Sequence, residues 1–205
     1  MKIIGVTGGV GAGKSAVLQY ITTHYEVKVF YADTIALELQ KKGGPCYQPL
    51  ITLLGKDCLD ESLEFNRKAV ANRIFQDKSL LEKVNAIVHP AVKTYLLKQF
   101  ALAECQGVEL VFVEAALLIE AGYKNVVDEM WVVCAEKEIR EKRLAENRGY
   151  TAERTRNIMQ HQLSQEAFLQ EADVVIYNND DFEHTIRQVR ERLEHSCNSE
   201  ITSIE

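Results

Sequence analysis

Nothing in this chain is long and apolar enough to enter a bilayer: no hydrophobic stretch of its 205 residues reaches the roughly 18 that a span needs. The N-terminus lacks a basic region, an apolar core and a small-residue cleavage site in series. No signal peptide is therefore expected, and the chain reads as cytoplasmic. Cysteine is sparse and without pattern. Cys46, Cys58, Cys105, Cys134 and Cys197 are scattered, odd in number and never arranged as C-x-x-C. That argues against a disulfide framework or a cysteine zinc site and leaves free thiols of a reducing compartment. Positive charge is also short. The formal net charge is −6 and the pI about 5.5, which speaks against a nucleic-acid partner. No repeat, low-complexity segment or linker interrupts the chain, so residues 1–205 read as one domain able to bury a real core. It is expected as a monomer or a weak homo-oligomer.

What is present begins at Gly5 with GVTGGVGAGKSAV. Gly8, four residues, then Gly13, Lys14 and Ser15 make the G-x-x-x-x-G-K-S pattern of a phosphate-binding loop. The apolar run Met1 to Thr7 before it suits a buried strand, and Ser15 to about His24 after it suits a helix. Glycines at 8, 9, 11 and 13 let the backbone turn sharply and aim successive N–H groups at one point. The helix N-terminus adds donors and partial positive charge. Gly9, Gly11, Ala12, Gly13, Lys14, Ser15 and Ala16 are thus the candidate nucleotide-binding residues. Lys14 is placed to reach the β- and γ-phosphates, and the Ser15 hydroxyl to ligate Mg²⁺.

Val27 to Tyr31 reads as a second strand, followed by a helix starting at Asp33 or Thr34. GGPCYQP (Gly43 to Pro49) is a cluster of helix breakers. From there to about Cys105 the apolar spacing is helical throughout, a block far longer than a crossover needs. Strands are expected again at Glu109 to Glu114, Glu129 to Cys134 and Val174 to Tyr177. Charged helices run from Glu136 to about Ala172, and a closing helix from Phe182 to His195. The polar tail SCNSEITSIE is expected to fray. Alternating strands and helices imply an α/β fold, a parallel five-stranded sheet covered on both faces. Ligands bind such sheets beyond the carboxyl ends of the strands, which sets the loop, Asp33 and Glu114 along one edge.

Four features bear on what receives the phosphate. Asp33 ends the second strand, where a carboxylate can orient a hydroxyl and take its proton, or simply cap the next helix. The inserted helices, about 40–105, are what enclosing an acceptor requires. Within them Pro90 suits a first helical turn and pushes His89 to a corner between two helices, where it points into a pocket or caps. Five of ten arginines, Arg140, Arg143, Arg148, Arg154 and Arg156, fall within seventeen residues. A lid of about 138–168 carrying them can close over a nucleotide, although some serve i,i+4 pairs such as Glu136–Arg140. Finally, no N-K-x-D guanine motif occurs, and the third strand ends in the single acid Glu114.

With TGGVGAGKS, Ala32-Asp33, Phe65 to Arg67 (FNR), VNAIVHP (Val84 to Pro90), ALLIE (Ala116 to Glu120) and HQLSQEAFLQEADVVIYNN (His161 to Asn179), the chain resembles the dephospho-coenzyme A kinase family from Ile4 to about Asn178. The resemblance implies a P-loop kinase fold with a nucleotide core, a helical acceptor-binding part and a lid. It implies ATP, Mg²⁺ and phosphorylation of the 3′-hydroxyl of dephospho-CoA, the last step of coenzyme A synthesis. On matching positions it makes Asp33 the catalytic base or orienter, with Lys14 and Arg143 serving the transferring phosphoryl. Arg143 and Asn178 join the nucleotide site; Arg67, His89, Leu117 and Glu120 join Asp33 in the acceptor site. This chain departs from the family pattern at Tyr31, where a first aspartate is usual, and at Ala116, where proline is. It departs again at Asn147, where the second lid arginine is expected; Arg148 follows instead. A different small-molecule kinase and a non-catalytic nucleotide switch remain as alternatives, which turnover with a panel of acceptors would separate.

Overall fold

The computed structural model describes residues 1–77 and 79–196; the polar tail beyond Ser196, with Cys197, lies outside the described residues. In chain order the elements are β1 (Lys2–Thr7), α1 (Lys14–His24), β2 (Lys28–Tyr31), α2 (Ala32–Gln40), α3 (Tyr47–Leu54), α4 (Arg67–Gln76) and α5 (Ser79–Cys105). Then follow β3 (Leu110–Glu114), β4 (Glu129–Cys134), α6 (Lys137–Arg148), α7 (Ala152–Gln160), α8 (Gln165–Glu171), β5 (Val174–Tyr177) and α9 (Phe182–Ser196).

The strands form one sheet in the order β2-β3-β1-β4-β5. β1 runs parallel to β3, with Ile4 opposite Phe112, and to β4, with Val6 opposite Trp131. β4 in turn runs parallel to β5, with Val133 opposite Ile176. Side chains alternate across the sheet. Ile4, Val6, Leu110, Phe112, Trp131, Val133, Val174 and Ile176 face α1 and α9, which contribute Val17, Leu18, Ile21, Ile186, Val189 and Leu193 to the same core. The Phe112 and Trp131 rings meet edge to face at 5.9 Å. Val111, Val113, Met130 and Val132, on the opposite face, are also fully buried. Burial on both faces is why these strands read as continuous apolar runs. Gly5 has no side chain because Leu118 fills that place: a Cβ there would lie 2.7 Å from its Cδ2.

The chain divides into two compact units, Met1–Phe30 with Ala103–Glu205, and Tyr31–Leu102. The second unit has its own small core of Leu54, Cys58 and Leu80, against which Phe65, Val70, Ile74 and Val84 pack. Asn66 caps α4, its side chain accepting from the N–H groups of Lys68 and Ala69.

Three sequence expectations change here. Pro90 does not separate two helices; it lies inside the single 27-residue α5. Proline removes one N–H and crowds the carbonyl four residues back, which disfavours but does not forbid a helix whose apolar face is buried. Val88, Val92, Leu96, Phe100 and Ala103 supply that buried face. The breaker cluster is shorter than expected, because α3 begins at Tyr47 and carries Pro49 in its first turn, where proline is tolerated. And α2 begins at Ala32, ahead of both expected starts.

Candidate active site

After β1 the backbone turns through positive φ at Gly8 (139°), Gly11 (81°) and Gly13 (102°). Gly8 is closed to any other residue twice over, since a Cβ there would also sit 2.2 Å from the Val133 carbonyl oxygen. Gly13 is the N-cap of α1, which has no side-chain cap and no acid in its first turn. By contrast α4, α7 and α8 are capped by Asn66, Thr151 and Ser164. The first turn of α1 therefore presents its donors to whatever the loop encloses, and an anion fits them. Lys14 folds back over the loop and donates from Nζ to the Gly8 carbonyl at 2.7 Å. Ser15 and Ala16 are exposed in the same turn, while Ala12 is buried.

Asn178, just past β5, ties this loop to its surroundings. It is 4 % exposed. Its Nδ2 donates to the Ala12 carbonyl at 2.8 Å, lying where a Gly13 side chain would be, and its Oδ1 accepts from Thr185 at 3.0 Å. Arg143 donates to the Asn178 carbonyl from Nη1 at 2.9 Å and to its Oδ1 from Nη2 at 3.4 Å. Arg143 Nη1 also comes within 3.9 Å of the Gly13 Cβ position. The structure thus brings together Gly9, Gly11, Ala12, Gly13, Lys14, Arg143 and Asn178. Arg148, five residues on, is the exposed last residue of α6, stopped by Gly149 in the left-handed conformation. Leu117 and Glu120 lie exposed in the turn that follows β3.

The remaining candidates belong to the second unit, on three helices. Asp33 is exposed in the first turn of α2, whose N-cap is Tyr31. Asp33 is therefore not the cap that sequence left open, although its charge at that end favours the helix. Arg67 is the exposed first residue of α4, and His89 is half-buried on α5.

Two further residues touch the loop. Arg140 belongs to the arginine cluster, where spacing leaves it either on the lid or paired with Glu136. The ion pairs along α6 among the described residues are Lys137–Glu141 and Lys142–Glu146, while Arg140 donates from Nε to the Val10 carbonyl at 2.8 Å. Burial pushes the Arg140 guanidinium below its usual range and the neighbouring Cys134 thiol above its own. Gln162, between α7 and α8, accepts from the Val10 N–H at 2.9 Å. It also lines a cavity of about 550 Å³ with Arg154, Asn157 and His161. The sequence signal for Gln162 is its place in the HQLSQEAFLQEADVVIYNN stretch that carries the resemblance.

Among the described residues no cluster of three or more His, Cys, Asp or Glu is arranged to hold a metal. A nucleotide-borne Mg²⁺ needs none, since it takes most of its ligands from phosphate and water.

The family model for dephospho-CoA kinase (CoaE) matches residues 2–184. The chain belongs to the dephospho-CoA kinase family. A dephospho-CoA kinase of Streptococcus mutans serotype c is 34% identical over 94% of this chain and 96% of its own length. A crystal structure from Thermus thermophilus superposes with TM-score 0.80 at 26% identity, covering 96% of this chain and 98% of that one. The dephospho-CoA kinase of Campylobacter jejuni has the same fold, with TM-score 0.71 at 22% identity over 96% and 98%. The family is a kinase family on an α/β fold, in accord with the glycine loop and uncapped α1. No helix among the described residues is long and apolar enough to cross a membrane.

Proposed function

We propose that this chain transfers the γ-phosphoryl of ATP to the 3′-hydroxyl of dephospho-CoA, giving coenzyme A and ADP. The observation that carries the reading is the Gly8–Ser15 loop leading into an α1 N-terminus without a side-chain cap, with Lys14 folded across it. The backbone of Gly9, Gly11, Ala12, Gly13, Lys14, Ser15 and Ala16 cradles the phosphates, and Lys14 offsets their charge. The Ser15 hydroxyl would hold Mg²⁺ on the protein side, where the ion would offset phosphate charge. Asn178 and Arg143 flank the nucleotide, and Arg143 stabilises the transferring phosphoryl under a lid of about 138–168. Arg67, His89, Leu117 and Glu120 bind the acceptor. Asp33 accepts the proton of the attacking hydroxyl as its oxygen bonds to phosphorus and the bond to ADP breaks. The free thiols among the described residues fit a cytoplasmic enzyme, and sedimentation would test the expected monomer or weak homo-oligomer.

Asp33→Asn tests the reading. It keeps size and helix-end preference but removes charge and basicity. With ATP, Mg²⁺ and a panel of acceptors, the native chain should turn over ATP only with dephospho-CoA. The variant should melt normally, bind ATP normally and transfer about 10²- to 10⁴-fold more slowly. Transfer by Asp33→Asn at the native rate removes the carboxylate from the chemistry. Turnover with other acceptors alone removes the substrate.

A further inference from the structure

Val10 sits in the middle of the glycine loop, yet both of its backbone polar groups are held from outside it. Its carbonyl accepts from Arg140 Nε at 2.8 Å, and its N–H donates to Gln162 Oε1 at 2.9 Å. Arg140 comes from α6 and Gln162 from the connection between α7 and α8. The grip is close as well as polar. A Cβ built on Gly9 would lie 2.4 Å from Nη2, 2.5 Å from Cζ and 2.7 Å from Nη1 of Arg140. Gly9 does not have a positive φ, so what excludes a side chain there is the guanidinium plane and not the backbone conformation. One residue further, a Cβ on Gly11 would lie 2.9 Å from the Arg140 carbonyl oxygen and 3.1 Å from Leu144 Cγ. The edge of the loop from Gly9 to Gly11 is therefore packed against α6, at Arg140 and Leu144.

We propose that Arg140 and Gln162 are positioning residues for phosphoryl transfer: together they clamp Val10 and couple the phosphate-binding loop to the α6–α8 segment. This rests on the reading of that segment as a lid over ATP. Arg140 lies outside every stretch that carries the resemblance, and Gln162, although inside one, is given no role by it. A loop of glycines has much conformational freedom, and phosphate binding must order it. Fixing Val10 from both sides removes part of that cost before the nucleotide arrives. It also means that displacement of the segment tugs directly on the loop wall. Arginine suits the position because its flat fork can lie on a glycine while Nε reaches a carbonyl; a lysine ammonium has neither the plane nor that second direction.

The test uses the full-length chain and the variants Arg140→Gln, Gln162→Leu, their combination, Gly9→Ala, and Gly9→Ala with Arg140→Gln. Kd for Mg²⁺–ATP is read by calorimetry without acceptor, together with both KM values, kcat and the melting temperature. Arg140→Gln and Gln162→Leu should each weaken ATP about tenfold, as loss of one favourable hydrogen bond in a binding site does. The KM for dephospho-CoA should stay put, and melting should move by no more than about 3 °C. The double variant should lose less than the product of the two singles, because Val10 is already released by either. Gly9→Ala should resemble Arg140→Gln, since a methyl there evicts the guanidinium, and should add little once Arg140 is gone. Multiplicative losses, or an undiminished Gly9→Ala effect without Arg140, overturn the clamp. A fall in melting temperature with normal ATP affinity makes the contacts merely structural. Loss of kcat by itself, with ATP affinity kept, would make Arg140 a catalytic group instead. If Asp33→Asn and acceptor tests fail while these ATP effects hold, the clamp survives and only the assigned acceptor falls.

Discussion

Two arginines of the same cluster separate at the level of single residues. Arg143 is half-buried and bonded to Asn178, itself fixed to the loop through Ala12. Arg154 is exposed, with its guanidinium 4.0 Å above the Tyr150 ring. A guanidinium that stabilises the transferring phosphoryl contributes roughly 10³-fold or more. A solvated one over a tyrosine is worth about 0.5–1 kcal/mol. Arg143→Ala should therefore depress kcat far more than Arg154→Ala, in steady-state assays on variants of equal melting temperature. Equal and small losses would return both to the surface.

Among the elements, α5 is where local preference and packing disagree most. A proline inside a helix is worth about 3 kcal/mol against it relative to alanine. α5 keeps Pro90 and places His89 beside it. Pro90→Ala should raise the melting temperature by restoring the missing hydrogen bond. It should also raise the KM for dephospho-CoA several-fold, because His89 then loses the backbone shape set by its neighbour, while the KM for ATP stays unchanged. An unchanged acceptor KM would show Pro90 to be incidental to acceptor binding. At the junction of α1 and α9, Tyr20 stacks on His24 at 4.2 Å and accepts from Arg190 Nε at 2.8 Å. Next to it, burial and then Tyr20 push the Tyr25 hydroxyl up from 10.0 to about 12. The fold thus favours neutral Tyr25. Its contribution is whole below pH 10 and is lost as pH rises through about 12, the unfolded chain ionising first. Denaturant unfolding should show stability falling across that window, and falling less in Tyr25→Phe. Parallel slopes for the two proteins would contradict the assignment.

For the whole molecule, the candidate residues divide between two units, with the nucleotide set in Met1–Phe30 and Ala103–Glu205, and Asp33, Arg67 and His89 in Tyr31–Leu102. Ligand at one hundred times its Kd stabilises what it binds by about 2.7 kcal/mol. Hydrogen exchange should therefore slow with Mg²⁺–ATP at 8–18, 134–143 and near 178, and with dephospho-CoA within 31–102 and at 117–120. Protection by dephospho-CoA confined to the first unit would disprove the division of labour. Much of this was open to sequence. The glycine loop, the four strands after β1, the helical insert and the arginine-rich segment follow from spacing, because phosphate geometry and two-faced burial leave few residue choices. Asn178 came through resemblance alone, and resemblance singled Arg143 out of the arginine cluster, since contacts to Ala12 and Gly13 have no local signature. Other features only tertiary structure decided. Pro90 inside α5 reflects packing that outweighs a helix breaker. Asp33 within the first turn, and not at the N-cap, reflects where β2 hands over to α2. Arg140 on Gly9 and Gln162 on Val10 reflect pairings across 130 and 152 residues, which no periodicity within a helix can announce.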